Sequence, residues 1–208
     1  MNHIHRILVL LLFSALTVIA PQAKPKTQAS EARELFDRVY NLVFGPQGSS
    51  LSYSVNIVGL YKTQGDIVYK GKKLQFRESR YSAWEDGVTA YRVDKKKRTV
   101  DIYRPDDDRK DEYLSKFKYD VNNYDFSYTT SGDYYTLTAK VRGSKFFGIR
   151  EVQAKVLRTN LHPVSLTIKL AFLHTTVHIS NFHSGGITDA AFQFPRNQFQ
   201  GYKFIDHR

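Results

Sequence analysis

Three histidines, His174, His178 and His183, are the residues of this sequence best suited by type to bind a metal ion. Residues four apart on a strand share one face, so the first two side chains point the same way. Zinc requires three or four ligands in defined positions, and no acidic residue follows the first histidine before Asp189. We therefore interpret all three as surface or core histidines. A metal-dependent hydrolase that uses His174 and His178 is the least favoured function.

Other catalytic patterns are incomplete. Residues 65–73 resemble a phosphate-binding loop, but five residues rather than four separate its glycines, and Lys73 stands where a magnesium-binding Ser or Thr is required. With 20 acidic residues, pairs such as Asp101 and Asp125 arise by chance, and nothing in the sequence brings these two together. The absence of cysteine excludes thiol nucleophiles and disulfides. The sequence therefore predicts a protein that is not an enzyme and has no cofactor.

The first 23 residues have the pattern of a secretory signal peptide. His3, His5 and Arg6 precede a 13-residue apolar run at residues 7–19, and small residues follow. A membrane span needs about 20 apolar residues, so this run is too short to be one. We expect cleavage after residue 20, 23 or 29, a linker over residues 24–29 and a single exported domain over residues 30–208.

Composition places the chain among ordinary globular proteins. It has 208 residues, of which 41% are hydrophobic and 25% charged, and its formal net charge is +11. In a cytoplasmic protein this charge would suggest nucleic acid, but an exported protein meets membrane surfaces, glycolipids and acidic partners instead. The alternative is that the positive charge, which is spread over several turns, serves only general solubility. Fourteen Tyr and fourteen Phe favour strands.

Apolar periodicity predicts one amphipathic helix followed by many short strands. The helix begins with Ser30 as its N-cap and ends at Gly45 and Pro46. A second short helix is predicted near residues 113–119. Alternating apolar residues predict strands over residues 51–58, 67–69, 74–78, 81–85, 88–93, 99–103, 124–130, 134–141, 152–157, 164–170, 176–181, 191–194 and 203–205. These runs indicate a large antiparallel sheet of about ten or eleven strands, curved or closed into a barrel.

A curved sheet crossed by a helix either fills its concave side with side chains or leaves a cavity for an apolar ligand, and the sequence does not distinguish these two outcomes. The candidate cavity residues are the inward-facing apolar positions Leu35, Phe36, Val39, Leu51, Tyr53, Val55, Phe76, Trp84, Tyr91, Val93, Leu137, Leu166 and Ile168. Leu114 and Phe117, on the second helix, are the candidates for a lid.

The order of these pieces resembles the periplasmic outer-membrane lipoprotein carrier family, the LolA-like proteins. The resemblance covers nearly all of residues 30–208. It rests on the exported N-terminus, the amphipathic helix, the Asp86-Gly87 hairpin, and the segments at residues 65–67, 76, 100–103, 190–195 and 204–206. It implies an unclosed antiparallel β-barrel whose helices cover an apolar cavity.

The resemblance further implies a periplasmic carrier, or chaperone, that binds the acyl chains of lipoproteins in that cavity. Such a carrier acts as a monomer without nucleic acid. Its partners are lipidated lipoproteins, an inner-membrane lipoprotein-releasing ABC transporter complex and an outer-membrane acceptor. A lipoprotein needs a carrier to cross the periplasm, because burial of each CH₂ group in an apolar environment is favourable by about 0.8 kcal/mol. A long acyl chain therefore does not leave the membrane for water unaided.

Two departures qualify this function. The family's early Arg-Pro pair, which gates the cavity, has no counterpart, and the cations at that place are Lys72 and Lys73, which are poorer multidentate donors than arginine. The lack of an N-terminal cysteine favours a soluble carrier over a lipid-anchored receptor of similar fold. The alternative is a periplasmic lipid- or lipoprotein-sensing module of the same fold, which usually requires a second domain.

Overall fold

The computed structural model describes residues 27–57, 61–111, 123–143, 149–170 and 174–208. The chain divides into two compact units. Unit 1 comprises Met1–Val39, Val55–Tyr61 and Asp111–Ile179. Unit 2 comprises Tyr40–Ser54, Lys62–Lys110 and Ser180–Arg208. Of the predicted features, the signal peptide, the second helix and its lid candidates Leu114 and Phe117 lie outside the described residues.

The predicted amphipathic helix, α1, spans Gln28–Phe44. Its N-cap lies three residues before the predicted one, because Thr27 takes the capping role: the backbone N–H of Ser30 donates to Oγ1 of Thr27 at 3.2 Å. The helix ends before Gly45, as predicted. A Cβ atom at Gly45 would lie 2.2 Å from the carbonyl oxygen of Asn41, so only glycine fits this stop.

Twelve strands follow the helix. They are β1 (Ser49–Ile57), β2 (Tyr61–Lys70), β3 (Lys73–Glu78), β4 (Tyr81–Glu85), β5 (Ala90–Asp94), β6 (Thr99–Tyr103), β7 (Tyr124–Ser131), β8 (Tyr134–Val141), β9 (Ile149–Leu157), β10 (Pro163–Leu170), β11 (His174–Ser184) and β12 (Lys203–Asp206). The sheet order is β12-β6-β5-β4-β3-β2-β1-β11-β10-β9-β8-β7. This order is linear and ends at β12 and β7, so the predicted mainly β, unclosed fold is confirmed, with twelve strands instead of ten or eleven.

Most strand pairs are antiparallel hairpin neighbours, because the connections between consecutive strands are short. The exceptions are β12, which pairs in parallel with β6, and β1, whose neighbour β11 is distant in the sequence. The predicted strand at residues 191–194 is wrong: Asp189–Phe192 forms a 3-10 helix, and Arg196–Phe199 forms another. Phe192 and Phe194 have the alternation of a strand, but Pro195 follows at once and has no N–H with which to extend a ladder.

The core of unit 2 lies on both faces of its strands. In β4, four of five residues are buried, because one face meets the C-terminal segment and the other meets further buried side chains. The C-terminal cluster consists of the buried residues Trp84, Val93, Val100, Ile102 and Phe199, with Tyr91, Phe194, Tyr202 and Phe204 packed against them. Burial of several aromatic rings makes this cluster a main stabilising element of unit 2.

The core of unit 1 lies on one face of strands β8–β11. Leu137, Ala154, Leu166 and Val177 are consecutive cross-strand neighbours, so all four point to the same side. Leu137 is 1% exposed and Val177 is 5% exposed.

Candidate functional site

The structure divides the thirteen predicted cavity residues between the two units. Unit 1 contains Leu35, Phe36, Val39, Val55, Leu137, Leu166 and Ile168. Unit 2 contains Leu51, Tyr53, Phe76, Trp84, Tyr91 and Val93. Each unit therefore has its own apolar set, and the two sets differ in how they are covered.

In unit 1, the residues of the set that lie on β8 and β10 share one face. Ile168 pairs with Val152, which in turn pairs with Ala139. Ile168 and Ala139 are each two residues from Leu166 and Leu137 on their strands, so all four side chains point to the same side. Phe126 of β7 is the partner of Ala139 and extends this face to the last strand. We call these residues, Phe126, Leu137, Ala139, Leu166 and Ile168, the apolar face of unit 1. Leu137 and Ile168 are each 1% exposed, whereas Leu166 and Phe126 are half-buried.

The N-terminal part of α1 packs on this face through β7. The rings of Phe36 and Phe126 meet edge to face at 5.3 Å between centroids. The guanidinium of Arg33 lies over the ring of Phe126, 5.1 Å from its centre. Arg33 also donates from Nε to Asp37 at 3.0 Å, which holds the guanidinium along the helix surface.

A hydrogen bond joins the first turn of α1 to the same strand. The phenol of Tyr128 donates to Oε2 of Glu31 at 3.1 Å. This bond to the carboxylate raises the pKa of Tyr128 above its ordinary value, because ionised Tyr128 would face a like charge. We call these contacts of Glu31, Arg33 and Phe36 with Phe126 and Tyr128 the α1 latch.

The residues of the α1 latch are less buried than the core residues of the apolar face. They are half-buried or exposed, and their bonds are one surface hydrogen bond, one cation–π contact and one ring pair. Each such contact contributes little on its own. Leu35 and Phe36 are half-buried, whereas Val39 is buried further along the helix. Few polar or aromatic contacts therefore join this segment of α1 to β7.

In unit 2, the predicted residues do not share a face. Phe76 pairs with Ala83, whereas Trp84 pairs with Gln75, so Phe76 and Trp84 point to opposite sides of the sheet. Glu78 is two residues from Phe76 on β3 and points to the same side. Tyr53 also lies on that side, since its phenol donates to the carboxylate of Glu78, and so does Leu51, two residues before Tyr53 on β1.

The remaining three residues of unit 2, Trp84, Tyr91 and Val93, belong to the C-terminal cluster. Trp84 meets Phe194 at 5.5 Å and Phe199 at 5.7 Å, and Tyr91 stacks on Phe194 at 4.2 Å. These side chains therefore contact the chain's own last segment.

Sequence reasoning missed a buried ionic cluster in unit 2. Glu85, on the side of Phe76, accepts from Arg92 and, at 3.1 Å, from Nζ of Lys110. Burial alone would raise the pKa of Glu85, but Arg92 and Lys110 lower it below its ordinary value. The available signal was the position of Glu85 within a strand of which four of five residues are buried.

The two lysines considered as substitutes for the gating arginine differ in environment. Lys73 donates to Oδ2 of Asp189 at 2.7 Å, and Lys70 donates to Oδ1 of the same carboxylate at 2.9 Å. The two bonds lower the pKa of Asp189 and tie the first C-terminal 3-10 helix to β2 and β3. Lys72 is exposed.

His174 and His178 are exposed on β11. Across the described ranges, no group of three His, Cys, Asp or Glu side chains is arranged to hold a metal ion. In the same part of the chain, no helix has both the length and the apolar character needed to cross a membrane.

Comparisons with known proteins bear on the fold. No protein-family model and no curated protein matches the chain. Among solved structures, an uncharacterised conserved protein from Thermus thermophilus is similar with a TM-score of 0.58 at 9% identity, over 85% of this chain and 99% of that one. A LolA superfamily protein from Nitrosomonas europaea is similar with a TM-score of 0.29 at 10% identity, over 79% and 98%. LolA superfamily proteins are among the similar structures.

A MucA/MucB complex from Pseudomonas aeruginosa also matches, with a TM-score of 0.48 at 12% identity, over 82% of this chain and 60% of that one. At 9% identity, the Thermus likeness concerns the fold alone. The LolA and MucB scores lie below 0.5, so the functional conclusion rests on the geometry of the chain itself.

Proposed function

We propose that this protein is an exported, non-enzymatic carrier that binds the acyl chains of lipoproteins and moves them through the periplasm from the inner to the outer membrane. The acyl chains bind on the apolar face of unit 1, beneath the N-terminal part of α1. The observation that carries this proposal is the contrast between a deeply buried apolar face and the weak, solvent-accessible α1 latch above it.

This contrast fits the energetics of carriage. An acyl chain in water loses about 0.8 kcal/mol for each CH₂ left unburied, so it has a strong tendency to enter any apolar surface that opens. When α1 lifts, the acyl chain replaces Leu35 and Phe36 against Phe126 and Leu137. The carrier loses the contacts of the α1 latch and the burial of Ala32 and Val39, and it regains both when a better acceptor removes the chain. The cycle involves no covalent step.

Only unit 1 combines apolar residues with a displaceable cover among the described parts of the chain. The C-terminal cluster of unit 2 is filled by Phe194 and Phe199, and the side of Phe76 contains the charged groups of Glu78, Glu85 and Arg92. We therefore assign acyl-chain binding to Leu35, Phe36, Val39, Val55, Leu137, Leu166 and Ile168, and structural roles to Trp84, Tyr91 and Val93.

The decisive experiment is a release assay. Purified mature protein is added to spheroplasts that hold a lipidated lipoprotein in the inner membrane with a compatible lipoprotein-releasing transporter, and the soluble fraction is assayed. Release of the lipidated form alone, together with acyl lipid co-purifying in mass spectrometry, supports the proposal. An unlipidated version of the same lipoprotein is the control. No release and no bound lipid would show that the apolar face is only a core.

A further inference from the structure

A second concave surface lies in unit 2, on strands β1, β2 and β3. It is a groove of about 590 Å³, within the range of small-ligand sites. Of the described residues that line it, none has an aliphatic side chain, and four are serines. This polar groove is chemically unsuited to an acyl chain, so the proposed carrier function does not account for it.

Two opposite charges face each other in the polar groove without pairing. Asp66 and Arg77 are directly opposite on β2 and β3, a position where an ion pair usually forms. Instead, Oδ1 of Asp66 accepts from Oγ of Ser52 at 2.7 Å. Within the described ranges, the guanidinium of Arg77 and Oδ2 of Asp66 make no hydrogen bond or ion pair. The groove therefore presents free donors beside a free acceptor.

The position of Asp66 is fixed by a chain of side chains. Nδ2 of Asn181 donates to Oγ of Ser52 at 3.3 Å, and Ser52 in turn donates to Asp66. Asn181 has a φ of +52° inside β11, a left-handed conformation that asparagine adopts more readily than most residues other than glycine.

Gly65 lines the groove with main chain only. A Cβ atom at Gly65 would lie 2.4 Å from the carbonyl oxygen of Arg77 and 3.2 Å from the ring of Tyr53. Glycine is therefore required here, because the chain's own atoms fill the space that a side chain would need.

The charges that face each other in the polar groove balance. Glu78 also lines it, but its carboxylate accepts from the phenol of Tyr53 on the other side of β3, which leaves Asp66 and Arg77 as the facing pair. A phosphate would meet the carboxylate of Asp66 and a cation would meet the guanidinium of Arg77, so neither is favoured. Hydroxyl groups both donate and accept, and a vicinal pair satisfies the guanidinium and the carboxylate together.

We propose that the polar groove binds a saccharide, with Arg77 donating to and Asp66 accepting from adjacent hydroxyl groups. The saccharide is either a free glycan or the headgroup of a glycolipid, which present the same hydroxyls. Ser52 and Asn181 act as positioning residues, because they hold Asp66 and do not themselves need to touch the ligand.

The test is a titration of ¹⁵N-labelled protein with maltotriose and with the N-acetylglucosamine trimer, followed by amide chemical shifts. We expect saturable shifts at Gly65 and Arg77 and binding at least about tenfold weaker in Arg77→Gln, since a charge-assisted hydrogen bond is lost. Asp66→Asn keeps an acceptor for Ser52 and should weaken binding similarly. Arg150→Gln changes an exposed strand arginine of unit 1 and should leave binding unchanged.

Three outcomes decide the matter. Saturable shifts confined to the groove, lost in Arg77→Gln and kept in Arg150→Gln, support the saccharide site. Repeating the titration with the same trisaccharide linked to an acyl chain identifies the source: equal affinity indicates a free glycan, and tighter binding indicates a glycolipid headgroup. No saturable shift with either trisaccharide, or shifts with inorganic phosphate alone, would overturn the proposal.

Discussion

The phenol of Tyr128 and the carboxylate of Glu31, 3.1 Å apart, join the edge strand β7 to the first turn of α1. Both groups are accessible to solvent, so the bond is easily exchanged for water. The folded-state pKa of Tyr128 is shifted upward, which means that the bond is fully present below pH 10.0, the tyrosine's ordinary value, and is lost as pH rises through the raised pKa.

Removing this hydrogen bond should loosen the helix without unfolding the protein. In Tyr128→Phe we expect faster amide hydrogen exchange over residues 28–39 and faster uptake of a fluorescent fatty acid, because the α1 latch loses its only bond to Glu31 among the described contacts. The urea midpoint should barely change. Tyr134→Phe, which alters a tyrosine of β8, is the control. Uptake that is slower than in the wild type would contradict the latch.

A polar substitution on the apolar face should weaken acyl-chain binding. Leu166→Asn is expected to raise the dissociation constant for a fluorescent fatty acid about tenfold while costing less than about 2 kcal/mol of unfolding free energy, because Leu166 is only half-buried. Ser165→Asn places the same side chain on the opposite face and should have neither effect. Equal losses of binding in both variants would show that the face has no specific role.

The C-terminal cluster should determine stability but not binding. Phe199→Ala removes a buried ring that contacts Trp84, so we expect unfolding to become easier by about 3–5 kcal/mol in urea. Fluorescence of Trp84, the single tryptophan of the chain, reports the transition directly. Phe204→Ala, at a half-buried ring, should cost less. Fatty-acid affinity should stay at its wild-type value in both variants. A loss of affinity without a matching loss of stability would contradict this prediction and would show that Trp84 belongs to the binding site.

The buried cluster of Glu85 makes unit 2 sensitive to acid. Because the pKa of Glu85 is lowered in the folded protein, its ionised form stabilises the fold above its ordinary value of 4.5, and this contribution is lost as pH falls through the lowered pKa. Glu85→Gln leaves Arg92 and Lys110 without their shared carboxylate and should cost about 3–5 kcal/mol at pH 7.

Urea unfolding at pH 7 and at acidic pH checks this sign. The wild type should lose stability below pH 4.5, the ordinary pKa of the Glu85 carboxyl, and Glu85→Gln should lose less over the same interval. Glu34→Gln, at an exposed helix position, should keep the wild-type pH profile. A profile for Glu85→Gln parallel to that of the wild type would mean that the acid sensitivity comes from other carboxylates.

Periodicity was sufficient to predict α1 and most strands. The stripe of Leu35, Phe36 and Val39 and the alternation of Leu51, Tyr53 and Val55 directly follow the geometry of a helix and a strand with one buried side. Local signals also placed the turn at Asp86-Gly87, where the N–H of Val88 donates to Oδ1 of Asp86 at 2.8 Å. Such features depend on neighbours within a few residues.

The composition of the site was less predictable, because it depends on which face of each strand meets which distant segment. Trp84 and Phe76 are both apolar and both buried, yet only the register of β3 with β4 shows that they face opposite ways. The helical turn at Asp189–Phe192 follows from long-range contacts with Lys70 and Lys73, which no local pattern contains. The polar groove depends on Asn181 and Ser52, far apart in the sequence.

The parallel pairing of β12 with β6 has a consequence for biogenesis. Until Lys203–Asp206 have been synthesised, the outer edge of β6 has no neighbour, and an open edge strand is a template for pairing with other chains. The strands of unit 2 are therefore complete only after a contact of high sequence separation has formed, and such contacts form slowly. In this interval the newly made protein most needs protection from self-association.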